Sequence, residues 1–272
     1  MKKLIKLLTC TLIFSVVCTQ LTLIVSDLLG ISQLRQRNVA TLIYLSCVAV
    51  SGIVLIGISY MPRLPMYDLR AVLEKDGYTR EYYAIMMKWH DVCVKRGFPN
   101  IARLTLAESL IDGGHIEKGL DILRELNVKK LDRQHKQVYY NTLLYAAVCQ
   151  GEQEAAESIY KTAAPWLHTA TSRAIAASVK HTLGCYEYMR GDLKRAETLF
   201  VQALGSEPSP DVICELRIGL TLCYLDTGRL KLAKESADMA ARYASTAPLR
   251  EKLARTRKLA EAAFRQKLSE TA

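Results

Sequence analysis

Apolar positions fall into two regimes along this chain. Up to residue 61 they come in unbroken blocks, 19 uncharged residues over 7–25 and 23 over 39–61. Beyond that point they recur with helical period in runs broken by glycine-containing turns, and no run alternates as a strand would. A helix rises about 1.5 Å per residue, so about 20 apolar residues cross a hydrocarbon core of roughly 30 Å. Both early blocks are long enough, and the pattern predicts two membrane spans.

A cleaved signal peptide would also begin with basic residues, here Lys2, Lys3 and Lys6, before an apolar run. The first block, however, exceeds the usual run of about 7–15 residues, and no small-x-small cleavage site follows it. Cys18 follows Ser15, Val16 and Val17, a poor lipoprotein box. The 13 residues 26–38 between the blocks predict an antiparallel hairpin with both ends on one side. Lys2, Lys3, Lys6, Arg63, Arg70 and Lys75 flank that side, against Arg35 and Arg37 in the loop. Cationic flanks stay in the cytoplasm, so the remainder of the chain is expected there.

The helical part repeats. A glycine followed five residues later by a small residue occurs at Gly114 and Gly119, Gly151 and Ala156, Gly191 and Ala196, and Gly228 and Ala233. The leading glycines are 37, 40 and 37 residues apart, and a degenerate copy lies 37 upstream, at Gly77 with Tyr82 in the small position. Glycine adopts the left-handed conformation at a helix end without steric cost, and a small residue lets the next helix approach closely. Such a helix pair cannot bury its apolar faces alone, so copies stack.

The best copy carries Leu183, Gly184, Tyr186, Tyr188, Gly191, Asp192, Ala196, Phe200, Ala203 and Pro208. Others carry Leu143, Gly151, Ala156, Tyr160 and Ala163, then Leu220, Tyr224, Gly228, Ala233 and Ala240. These residues resemble the tetratricopeptide repeat, over residues 65–245. The two uncharged blocks give a transmembrane hairpin over 1–62, and the resemblance implies that an α-solenoid over 63–248, with about four to five helix-turn-helix units, follows it in an all-α chain. Residues 249–272, after Pro248, read as a C-terminal capping helix and tail with Leu253, Leu259, Ala260 and Phe264 on its apolar side. The first helices of successive units would line a concave groove for a segment of a partner protein. By position in the unit, that groove holds Leu104, Glu108, Asn141, Tyr145, His181, Cys185, Tyr188, Ile218, Leu222 and Asp226, a mixed face with aromatic anchors. The Lys-Asn and Lys-Arg clamp for chaperone C-terminal carboxylates is absent: Lys180 lacks its arginine.

Charge and cysteines refine this picture. Residues 62–272 hold 32 basic and 26 acidic residues, so the +10 of the whole chain falls to about +6 there, with the signs mixed. No basic stripe marks a nucleic-acid binder. Only residues 250–267 concentrate charge, with seven basic and two acidic residues, a solvated helix face or an attraction to anionic headgroups. Of eight cysteines, Cys10, Cys18 and Cys47 lie in the spans, and the other five are scattered without a C-x-x-C pair. They read as buried free thiols.

Candidate chemistry is sparse. His90 and Cys93 are three apart on one helix, but no second ligand pair accompanies them. No phosphate loop, H-E-x-x-H or G-x-S-x-G occurs, and neither span carries an ionisable side chain of the kind that marks ion pathways. The reading is therefore of a non-enzymatic protein without cofactor or metal. It is expected to be a membrane-tethered scaffold binding a protein or peptide in its groove. The alternative is an accessory subunit of a membrane complex, recognised through its spans.

Overall fold

The computed structural model describes residues 64–271 except 170 and 171, together with nine helical positions between Val16 and Leu45. The remainder of the expected spans, 7–25 and 39–61, lies outside the described residues. The described positions there belong to a unit of their own, Met1–Leu64. Val16, Val17, Leu21, Ile24, Val25 and Leu45 in it are each about half exposed. Among the described residues no helix is long and apolar enough to cross a membrane.

The second unit, Pro65–Ala272, is all-α. Its helices are α1 (Leu64–Lys75), α2 (Arg80–Lys95), α3 (Pro99–Asp112), α4 (Ile116–Arg124), α5 (Arg133–Gln150) and α6 (Gln153–Leu167). They continue as α7 (Arg173–Met189), α8 (Leu193–Leu204), α9 (Pro210–Asp226), α10 (Leu230–Ala241) and α11 (Ala247–Thr271). Starts follow local chemistry. Asp132 and Asp192 accept hydrogen bonds from the backbone N–H groups of His135 and Arg195, at 2.9 and 3.0 Å. Pro99 and Pro210 open α3 and α9, where a missing N–H costs nothing.

The four turns that define the sequence repeat are tight. Gly151 has φ 73°, its N–H donates to the Val148 carbonyl and that of Glu152 donates to the Ala147 carbonyl, a left-handed cap that a side chain would strain. The small positions behave as their spacing predicts: Ala156, Ala196 and Ala233 are fully buried, and a Cβ on Gly119 would come within 2.6 Å of Ile111.

Helices pair as α3 with α4, α5 with α6, α7 with α8 and α9 with α10. The first members also pack on one another, α3 on α5, α5 on α7 and α7 on α9, with α11 taking the next place against α9 and α10. The core is correspondingly a chain of local clusters. Leu104, Ala107, Leu123 and Ala146 join α3, α4 and α5; Leu144, Ala156, Ala163 and Tyr186 join α5, α6 and α7. Phe200, Leu216 and Leu220 join α8 and α9; Cys214, Ile218, Ala237 and Leu253 join α9, α10 and α11. Each cluster seals one junction between neighbours, the energetics of a stacked repeat.

Two details differ from the sequence reading. On α11, Leu253 and Ala260 are buried, but Leu259 and Phe264 are 57% and 40% exposed. The packed stripe runs through Leu249, Leu253, Thr256 and Ala260, because only a narrow face of this helix meets α9 and α10. Among the cysteines outside the early blocks, Cys93, Cys214 and Cys223 are buried, Cys185 is half-buried and Cys149 is exposed, all as free thiols.

Candidate binding hollow

The first helices do more than stack. Their curvature, together with α1, α2 and α11, encloses a hollow of about 530 Å³. Closure is polar. The Arg70 guanidinium on α1 reaches the Asp211 carboxylate at the start of α9, with one bond at 3.1 Å, and donates to Ser245 Oγ at 2.8 Å. Ser245 in turn donates to Asp211 at 2.6 Å. Arg250 of α11 donates to the carbonyl of Glu74 on α1. Gly77 lies against Pro248, where an added Cβ would still find 3.4 Å.

Of the residues assigned to a groove from sequence, Glu108, Asn141, Tyr145 and His181 line this hollow. They come from α3, α5 and α7 at corresponding depths, as the repeat register requires. Leu104 and Ile218 do not reach it; both are core, at 3% and 1% exposure. Tyr188, Leu222 and Asp226 also lie outside its lining. Tyr188 donates to Asp226 at 2.5 Å, tying α7 to α9 two turns beyond His181. Cys185 sits behind the wall, its Sγ 3.6 Å from His181 Nε2.

The sequence reading missed Tyr78, Asp112, Glu215 and Lys252, which complete the walls. Asp112 carried a signal, since it lies one helical turn from Glu108. The others depend on closure by α2, α9 and α11, which no unit-by-unit register predicts.

The electrostatics divide the lining into satisfied and unsatisfied groups. Glu215 is ion-paired with Lys252 of α11 and has His181 Nε2 at 3.7 Å. Burial opposes its charge, but the Lys252 ammonium, by its charge and its hydrogen bond, outweighs burial and holds the carboxyl below its usual range. His181 is pushed down to about 4, chiefly by burial, and stays neutral. Glu108 has one hydrogen bond, from the Thr142 hydroxyl at 3.3 Å, and burial pushes its carboxyl up to about 7. Asp112 is raised to about 7 by the surrounding protein, then by the nearby charges of Glu108 and Glu215. Asn141 Oδ1 is buried without a hydrogen-bond donor. A buried acceptor left unmet costs about 1–3 kcal/mol, so this orphan is not neutral.

Tyrosines supply the remaining surface. Tyr82 donates to Ser109 Oγ at 3.2 Å, and Tyr78 packs edge-on against Tyr82 with centroids 5.0 Å apart. Tyr145 lies 6.0 Å from His181 by ring centroid, and burial pushes its phenol well above the ordinary range. Among the described residues no group of three or more His, Cys, Asp or Glu is set to hold a metal ion. His90 and Cys93 are not joined in a site: His90 Nδ1 lies 3.2 Å from Asp91, and Cys93 is core, its thiol raised by burial.

No family model matches this chain, and neither a curated protein nor a solved structure matches it.

Proposed function

We propose that this chain is a membrane-anchored helical-repeat scaffold, of tetratricopeptide type, that holds a short segment of a partner protein in the hollow of its inner face. The observation that carries this reading is convergence. Side chains from α3, α5, α7, α9 and α11 meet around about 530 Å³. Ligand sites commonly have volumes of about 300–1,000 Å³ with a few convergent polar groups among aromatic ones. This hollow has room for a few residues of an extended segment, not for a folded domain.

Anchoring rests on the two uncharged blocks over 7–25 and 39–61, with the repeat unit on the cytoplasmic side by its basic flanks. The half-exposed apolar side chains at Val16, Val17, Leu21, Ile24, Val25 and Leu45 suit a lipid-facing surface. Confinement at the membrane raises the effective concentration of whatever the hollow holds near other membrane proteins.

A second reading is favoured by the polar closure of α1 and α11 over the inner face. If that closure persists, recognition falls to the spans, and the chain is an accessory or assembly subunit of a membrane complex. A crosslinked, detergent-solubilised pull-down with mass spectrometry separates the two. It compares the full chain, residues 62–272 and Tyr145→Ala. The scaffold predicts one partner captured by both wild-type forms and lost with Tyr145→Ala. A partner captured only by the full chain supports the complex subunit and overturns the scaffold.

A further inference from the structure

The hollow has an unbalanced charge inventory. Four carboxylates line it (Glu108, Asp112, Asp211 and Glu215), against two cationic side chains, Lys252 and Arg255. Two carboxylates are already matched, Asp211 by Arg70 and Glu215 by Lys252. Among the described residues Glu108 and Asp112 have no ion-pair partner, although they are one turn apart on α3 and face the same space. Lys252 is the one cation that favours the charge of Asp112, and its Nζ is committed to Glu215. Beside the acid pair, Asn141 Oδ1 on α5 is a second, independent acceptor without a donor. The rings of Tyr78, Tyr82 and Tyr145 line the same space.

Two carboxylates, an orphaned amide oxygen and aromatic faces share one complement: a hydrogen-bond donor carrying positive charge. Aromatic faces attract organic cations, and ammonium or guanidinium donors form charge-assisted bonds to carboxylates. A bare metal ion fits worse, since no cluster of three or more metal-ligating side chains is present among the described residues. An anionic ligand would find Arg255 but would face the four carboxylates.

We propose that the hollow recognises an organic cation, a primary ammonium or guanidinium borne by the bound segment, through Glu108, Asp112 and Asn141. This rests on the reading of the hollow as the site that holds a partner segment. The two carboxyls share one space without a countercharge of their own, and an arriving cation supplies it. Facing groups from the other walls are Tyr78 and Tyr82 by α2, Tyr145 on α5, His181 on α7, Asp211 and Glu215 on α9, and Lys252 and Arg255 on α11. Because the pair holds protons near neutrality when empty, cation binding expels protons, and affinity rises as pH rises through about 7.

The test is calorimetric titration of the full chain in detergent with three probes. N-acetyl-lysine amide offers a side-chain ammonium, norleucine amide a chain-terminal one, and N-acetyl-norleucine amide none. The inference expects at least one charged probe to bind about tenfold tighter or more than the neutral one, with proton release. Which charged probe wins distinguishes an internal lysine from a free amino terminus. Glu108→Gln with Asp112→Asn should abolish the preference while the thermal midpoint holds or rises, since unpaired charge has been removed. Equal binding of all three probes, or a preference that survives the double variant, overturns the inference. A partner captured through Tyr145 that the double variant still holds sinks the cation and leaves the scaffold. Charged probes bound with no protein captured sinks the scaffold and leaves the cation site.

Discussion

Glu108 and Asp112 lie one turn apart in a space that water reaches but protein surrounds, and their protons couple the hollow to stability. Both carboxyls sit near 7, above the ordinary values of 4.5 and 3.8. Between those limits the folded state keeps protons that the unfolded chain has lost, so stability falls as pH rises through this window. His181 acts oppositely. Its folded value near 4 lies below 6.5, so the unfolded chain takes up a proton first and stability falls as pH drops from 6.5 to 4. Two acids outweigh one histidine, so the thermal midpoint should decline from about pH 5 to about pH 7. In Glu108→Gln with Asp112→Asn the slope reverses, because His181 alone remains. Asp211 and Glu215, held below their usual range, act only at lower pH. Melting curves across that window check the sign, and a wild type whose midpoint rises to pH 7 contradicts this account. At this scale the sequence was partly legible. Repeat register places Glu108, Asn141, Tyr145 and His181 on a common face without any knowledge of curvature. It also places Tyr188, Leu222 and Asp226 there, and they fall outside the hollow because the curved layer encloses only part of each first helix.

Between elements, the close approach of helices decides which positions are strict. Phe200 of α8 is fully buried between Gly184 of α7 and Gly219 of α9. A Cβ on Gly184 would sit 2.4 Å from the Phe200 ring, and one on Gly219 would sit 2.7 Å from it. Gly184→Ala should therefore destabilise by about 1–3 kcal/mol, the usual cost of overpacking a full core. Denaturant unfolding should show a lower midpoint, whereas an unchanged midpoint would mean that the ring has room to move. The paired glycine and phenylalanine were readable as a repeat signature, and the structure supplies the reason for the pairing. α11 was less legible. Its period suggested an apolar side including Leu259 and Phe264, but packing against α9 and α10 buries a narrower stripe. Periodicity gives the direction of a helix face, not the width that its neighbours cover.

For the molecule as a whole, the sequence announces two architectures, apolar blocks and a glycine-punctuated helical repeat, and the described repeat unit is all-α with one junction core per neighbouring pair. What unit-by-unit reading did not foresee is closure. Arg70 to Asp211 and Arg250 to Glu74 join residues 141 and 176 positions apart. Such contacts depend on the summed rotation of successive units, to which each junction contributes only a little. Closure turns an expected open groove into a hollow, and the central claim is that this hollow is where a partner is held. The most direct measurement places a photo-crosslinking amino acid at position 145 of the full chain in cells, with Val201, which is exposed on α8, as the outside control. The account predicts a discrete crosslinked partner from position 145, none from position 201, and crosslinked residues confined to one short segment of that partner. Crosslinks from 201 but none from 145 would contradict it and move recognition to the outer surface.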